Sequence, residues 1–217
     1  MCMSKCPVIS IHLPKCAGSS LRNTLKEKMK DEAYLDYGDR ITDVSFEAKQ
    51  TRAKRKLQFL TDYQSSHKAK IIHGHFYATK YLDIFPNAQY VTIVRDPRSL
   101  VPSYYSYLKR SRQNNYLTRF AKNCSSLEEF IDHEWFQNIV SKQLYPLDIS
   151  SMCLVGVQQK YNEYLKRLSE IVGVALEEVN ENVNPKGPEY NLPSGLVARI
   201  EANNSDDMEL YFKALNQ

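Results

Sequence analysis

No stretch of this sequence approaches the length of a hydrophobic membrane span, and Met1 to Pro7 is too short and too polar for a signal peptide ahead of the first apolar run. There is no Cys-x-x-Cys pair. The five cysteines, at positions 2, 6, 16, 124 and 153, are odd in number, which excludes a complete disulfide framework within one chain and points to reduced thiols in the cytosol. Excess charge is scarce: 29 Lys+Arg against 25 Asp+Glu leave a formal net charge of +4, too small to argue for general nucleic-acid binding. Internal repeats and low-complexity segments are absent as well. What remains is a chain of 217 residues at 42% hydrophobic, enough to bury one good core, so one α/β domain over residues 1–217 is expected.

The most informative stretch runs from Val8 to Leu21. Its apolar residues at 8 to 13 read as a buried strand, Pro14 to Gly18 breaks the pattern, and Leu21 to Met29 reads as a helix. The loop between them holds Lys15, a glycine that lets the backbone approach a ligand, and two hydroxyls. The N–H groups from Ala17 to Ser20 lie at the positive end of the helix dipole, so the loop suits an anion. It is not a Walker A loop, because that pattern needs its lysine after a second glycine and Lys15 precedes Gly18. An ordinary strand-to-helix turn with Lys15 in solvent is the alternative on this stretch alone.

Farther along, Asp31 to Asp43 is polar and reads as a connection, and Phe46 to Tyr63 as a surface helix. Its cluster Lys49, Arg52, Lys54, Arg55 and Lys56 reads as a solvated face. Lys70 to Tyr77 gives a short strand ending in His73-Gly74-His75, Tyr81 to Phe85 a short helix, and Gln89 to Val94 the clearest strand. Ser126-Leu-Glu-Glu129 has capping-box spacing and opens a helix through His133, with Trp135 to Leu144 continuing helically. Met152 to Val157 is another strand, Gln158 to Val172 a helix stopped by Gly173, and Asn182 to Pro193 a loop; two helices follow, the last from near Ser205. This alternation predicts a parallel sheet with helices on both faces.

The second informative stretch is Arg95 to Tyr107. Asp96 followed by Pro97 is a helix start by cap and first-turn chemistry, which puts Arg95 at the carboxyl end of a strand, where open parallel sheets bind ligands. Ser103 lies seven residues after Asp96, close to two turns, and so on nearly the same helix face. Arg95 and Ser103 can therefore reach one anion together; a local ion pair for Arg95 is the alternative.

With both stretches in view, the sequence resembles the sulfotransferases that use 3′-phosphoadenosine 5′-phosphosulfate (PAPS). His12-Leu-Pro-Lys-Cys-Ala-Gly-Ser-Ser-Leu21 is similar to their 5′-phosphosulfate loop, and Arg95-Asp-Pro with Ser103 to their 3′-phosphate motif. Ile72-His-Gly-His-Phe76, the strand that follows and Leu154-Val-Gly-Val157 resemble the heparan sulfate and uronyl 2-O-sulfotransferases. The resemblance implies a P-loop-NTPase-like α/β fold. It implies cofactor-binding roles for Lys15, Cys16, Ala17, Gly18, Ser19, Ser20, Arg95 and Ser103, with Asn184 and Lys186 closing over the nucleotide. The chain lacks the anchor and stem of Golgi members and is shorter than their catalytic domains. Leu100 stands where the family often has an arginine, Arg98 sits elsewhere on the helix, and Cys16 replaces another small residue.

Sulfuryl transfer is an in-line displacement in which charge builds on the bridging oxygen of the departing nucleotide, and a cation there, for which Lys15 is the candidate, stabilises the transition state. The acceptor hydroxyl must also lose a proton. After the second strand no carboxylate occurs before Asp83, so a histidine is the expected base, and the resemblance selects His75. His73 is read as a packing or orienting residue. His12 is either a positioner of Lys15 or a core histidine, and Cys16 a thiol of lowered pKa at a helix N-terminus. A zinc site on His73 and His75 lacks a third ligand at suitable spacing, so no metal is expected. The expected activity is PAPS-dependent transfer to a hydroxyl of a saccharide or similar polyol. The alternatives are a P-loop-type kinase and a non-catalytic module that binds anions or sulfated glycans.

Overall fold

The computed structural model describes residues 6–39, 41, 46–66, 69–177 and 190–217. Its strands are β1 (Val8–Ile11), β2 (Ala33–Asp36), β3 (Ile71–Gly74), β4 (Tyr90–Val94) and β5 (Leu154–Val157). Its helices are α1 (Gly18–Lys28), α2 (Phe46–Ser66), α3 (Thr79–Leu82), α4 (Pro97–Arg110), α5 (Tyr116–Asn123), α6 (Leu127–Asp132), α7 (Ile139–Leu144), α8 (Tyr161–Val172), α9 (Ser194–Asn203) and α10 (Ser205–Leu215). The strands form one parallel sheet in the order β2-β3-β1-β4-β5.

Parallel strands covered on both faces read as continuous apolar runs, and β1 and β4 are buried at every position. Alternate residues serve opposite layers. Val8, Ile71, Val91 and Leu154 pack beneath α1 and α8, against Leu21, Leu25, Leu165 and Leu168. Ile9, Ile11, Ile72 and Val155 pack on the other face with Tyr81 of α3, Leu100 and Tyr104 of α4, Phe130 of α6 and Tyr211 of α10. The chain leaves β1 toward one edge, returns at β3, and crosses to β4 on the other side. The carboxyl ends of β1, β3 and β4 thus adjoin at the reversal of strand order, where such sheets open a crevice.

Three expectations need correction. The stretch from Asp31 to Asp43 is not merely a connection: β2 lies within it as an edge strand in register with β3, Ala33 opposite Ile71 and Asp36 opposite Gly74. Three half-buried residues and one buried aspartate carry too little periodicity to announce a strand; the pairing comes from β3. Gly74 permits it, since a Cβ there would meet the Asp36 carbonyl oxygen at 1.7 Å. Nor is the basic cluster of α2 wholly solvated. Arg55 reaches Asp36 at 3.1 Å and Asp39 at 3.2 Å, and Lys56 reaches Asp83 at 2.5 Å. Buried Lys80 joins Asp36 and Asp39, and Tyr81 donates to Asp36 at 2.8 Å, so the buried carboxylates are compensated. Finally, Trp135 to Leu144 is not one helix. Asn138 at φ 50° separates a 3-10 turn (Glu134–Phe136) from α7, because its backbone N–H binds Asn204 and its side chain caps α10.

Candidate active site

Lys15 sits in the turn that joins β1 to α1, and this turn is strained: Lys15 and Ala17 both adopt φ 61°, uncommon for side chains with a Cβ. Cys16 anchors it. Its thiol is buried and donates to the Pro14 carbonyl at 3.3 Å, while its N–H donates to Leu13 at 3.4 Å. Burial pushes the Cys16 thiol up to about 12, so the thiol of lowered pKa expected from the sequence is corrected: the helix terminus is outweighed by desolvation. Among the described residues no side chain caps α1, which leaves the first-turn N–H groups of Gly18, Ser19 and Ser20 without a described side-chain acceptor. Gly18 is required here by contact, because a Cβ would meet the His12 ring at 1.8 Å.

Arg95 ends β4 and turns back over that loop. Asp96 caps α4 by accepting from the Arg98 N–H at 2.9 Å, with Pro97 in the first turn as expected. The Arg95 guanidinium donates to Ser99 at 2.9 Å, to Ser103 at 3.1 Å and to the Lys15 carbonyl at 3.3 Å. The two anion-binding stretches therefore meet. Arg95 is 5% exposed, and among the described residues no carboxylate forms an ion pair with it or with Lys15. Lys15 lies over the Tyr107 ring at 4.8 Å, and burial, then Arg95 and Arg110, lower its pKa. Burial likewise lowers that of Arg95. Unmatched cations brought together in this way favour a polyanion.

Three imidazoles stack beside the loop. The His12 ring lies 3.8 Å from that of His75 and 5.3 Å from that of His73. His73 has both nitrogens engaged, Nδ1 with Ser10 at 2.9 Å and Nε2 with the Gly18 carbonyl at 3.2 Å. His12 is buried with Nδ1 on the Tyr37 hydroxyl at 2.9 Å. His75 is different. Its Nδ1 lies 2.8 Å from the His12 carbonyl, an acceptor only, so Nδ1 carries the proton and Nε2 keeps its lone pair.

A model of the sulfotransferase family matches residues 12–145, more than half of the 217-residue chain. The chain belongs to the sulfotransferase family. Among solved structures it is similar to a sulfotransferase from Alicyclobacillus acidocaldarius, with 11% identity, a TM-score of 0.53, and 98% of this chain and 96% of that one covered. It is also similar to mouse sulfotransferase SULT7A1 complexed with PAP, with 12% identity, a TM-score of 0.47, and 95% and 67% covered. No curated protein sequence matches at a significant level.

Among the predicted residues of this sulfotransferase, Arg95 contacts Ser103 and the Lys15 carbonyl and His75 contacts the His12 carbonyl at the head of the same loop, while Asn184 and Lys186 fall outside the described residues. No helix among the described residues is long and apolar enough to cross a membrane. Sequence reasoning missed Tyr37, Ser99, Tyr107 and Gln143. Ser99, four residues after Arg95, and Tyr107, four after Ser103, lie on α4 and are legible in retrospect; Tyr37 and Gln143 come from distant chain.

The buried imidazoles should make the sulfotransferase less stable in acid. Burial lowers the pKa of His12, His73 and His75, that of His73 to about 3. The unfolded chain therefore takes up protons near pH 6.5 that the folded chain refuses, so stability is full at neutrality and falls as the pH drops below that value. The slope reaches about 1.4 kcal/mol per pH unit for each histidine. Melting temperatures measured across this range should fall steadily on the acid side; a level profile would contradict the burial of the stack.

Proposed function

We propose that this sulfotransferase moves a sulfuryl group from PAPS to a hydroxyl of a saccharide or related polyol, in the manner of the 2-O-sulfotransferase branch. The observation that carries the reading is the contact of Arg95 with the Lys15 carbonyl at 3.3 Å, which joins a loop suited to the 5′-phosphosulfate to a guanidinium suited to the 3′-phosphate. The site fits such a donor because its buried guanidinium and strained, uncapped loop offer positive charge and N–H groups that no described carboxylate satisfies. Ser103 and Ser99 orient Arg95, and Asn184 and Lys186 close over the nucleotide. Tyr190 also acts electrostatically on Arg95.

PAPS, when bound, supplies the sulfuryl group. His75 accepts the acceptor's proton at Nε2, and Lys15 keeps its charge at the loop where the leaving oxygen becomes negative. The likeness of Ile72-His-Gly-His-Phe76 to the heparan sulfate and uronyl 2-O-sulfotransferases supports a saccharide acceptor. Free thiols at Cys6, Cys16, Cys124 and Cys153 support a cytosolic setting.

The test is calorimetry with 3′-phosphoadenosine 5′-phosphate (PAP), against ADP with Mg²⁺, on the native protein and on Arg95→Met. PAP is expected to bind more tightly than ADP, and Arg95→Met to weaken it by about ten- to a hundredfold through lost charged hydrogen bonds. Preference for ADP with Mg²⁺ would restore the kinase alternative.

A further inference from the structure

Gln143 lies on α7, 131 positions from His12, and is 3% exposed. Its side-chain amide spans two carbonyls, those of His12 and Phe76, each at 3.0 Å. Its backbone carbonyl accepts from the Ala78 N–H at 3.0 Å. Both side-chain partners are acceptors, so the NH₂ end of the amide must face them. The two carbonyls are not ordinary loop groups. His12 leads into the strained turn that carries Lys15, and its oxygen also receives the Nδ1–H of His75 at 2.8 Å. Phe76 directly follows His75. The His12 N–H is held as well, donating to Gly74 at 2.9 Å.

A carbonyl oxygen has two lone pairs, and at His12 one serves Gln143 while the other serves His75. Glutamine suits this place because it is neutral and brings two donors; a lysine or arginine would add charge beside the imidazoles. α7 is itself fixed. Buried Asp207 of α10 accepts from the N–H groups of Val140 at 3.0 Å and Ser141 at 2.8 Å.

We propose that Gln143 is a positioning residue for transfer, clamping the loops after β1 and β3 so that the His12 carbonyl holds the Nδ1–H tautomer of His75 and leaves Nε2 facing the acceptor. This rests on the reading of His75 as the base. A neutral imidazole freed of its carbonyl partner reverts toward the Nε2–H form, which has no lone pair at Nε2. Loosening the clamp also lets the base drift from the donor loop.

The test uses Gln143→Met, which keeps the length without donors, and Gln143→Glu, which sets acceptor oxygens against the carbonyls. Nitrogen-15 NMR of the ring nitrogens should find His75 as Nδ1–H in the native protein and a rising share of Nε2–H in the variants. Turnover should fall by about ten- to a hundredfold while KM for PAPS stays nearly unchanged, as expected of misplaced rather than missing machinery. Folded variants with the native tautomer and native turnover would reduce Gln143 to a packing role. An Nε2–H tautomer in the native protein would overturn the proposal without any variant, which covers the case of variants that do not fold. Full activity in His75→Ala would instead overturn the base assignment and leave the tautomer result standing, so the two failures are told apart.

Discussion

His75→Ala should lower kcat for sulfuryl transfer by about 10²–10⁴-fold, the range for loss of a general base. The reason lies in the ring's two ends. Nδ1–H is committed to the His12 carbonyl at 2.8 Å, which leaves Nε2 as a proton acceptor. Burial lowers the pKa of His75, and the charge of Arg22 adds to this, so the ring is neutral and competent at neutral pH. The acid limb of kcat in the native enzyme should consequently lie below the usual histidine value of 6.5. The fold should survive, because Gln143 still holds the His12 carbonyl at 3.0 Å once the imidazole is gone. Single-turnover kinetics on the folded variant, with the pH profile of the native enzyme, check both parts. Unchanged turnover in the variant would end His75's assignment.

Lys15→Met should cost about 10²–10³-fold in kcat, comparable to loss of one group that stabilises developing transition-state charge. Methionine keeps most of the side chain's length and removes the ammonium. PAP carries no sulfuryl group, so its binding should weaken less than kcat falls; that split separates transition-state stabilisation from plain attraction to the nucleotide. Lys15 stands close to Arg95 and Arg110, which with burial lower its pKa. A polyanion relieves that repulsion on binding. Equal losses in PAP affinity and in kcat would show that Lys15 only holds the nucleotide.

The departures from the family pattern have structural explanations. Leu100 is 1% exposed in the core, so an arginine there would be buried without a partner. Arg98 is engaged elsewhere, with Asp96 at 2.6 Å and Glu201 at 3.5 Å, where it ties α4 to α9. Cys16 fills a buried point beneath the turn rather than presenting a thiolate.

The elements with strong local signatures were legible from residue order alone. Apolar runs marked β1, β3, β4 and β5, and Asp96-Pro97 marked the start of α4, because these features need only neighbours within a turn or a strand. Gly173 stopped α8 and Ser205 opened α10 as expected. Ser126 caps α6, but Glu129 turns to Ser125 instead of completing the box. Lys15, Arg95 and Ser103 stand out from residue order because their spacing from strand ends is local, whereas His75 is selected only by the family resemblance.

Tertiary structure alone decided what those groups experience. β2 exists by pairing with β3, Tyr37 reaches His12 across 25 positions, and Gln143 reaches it across 131. The raised pKa of Cys16, the lowered ones of the three histidines and the buried guanidinium of Arg95 all follow from desolvation, which no local spacing encodes. Residue order fixes which groups arrive at the carboxyl edge of the sheet; the packing around them sets their protons, charges and aim, since those depend on distant atoms that exclude water.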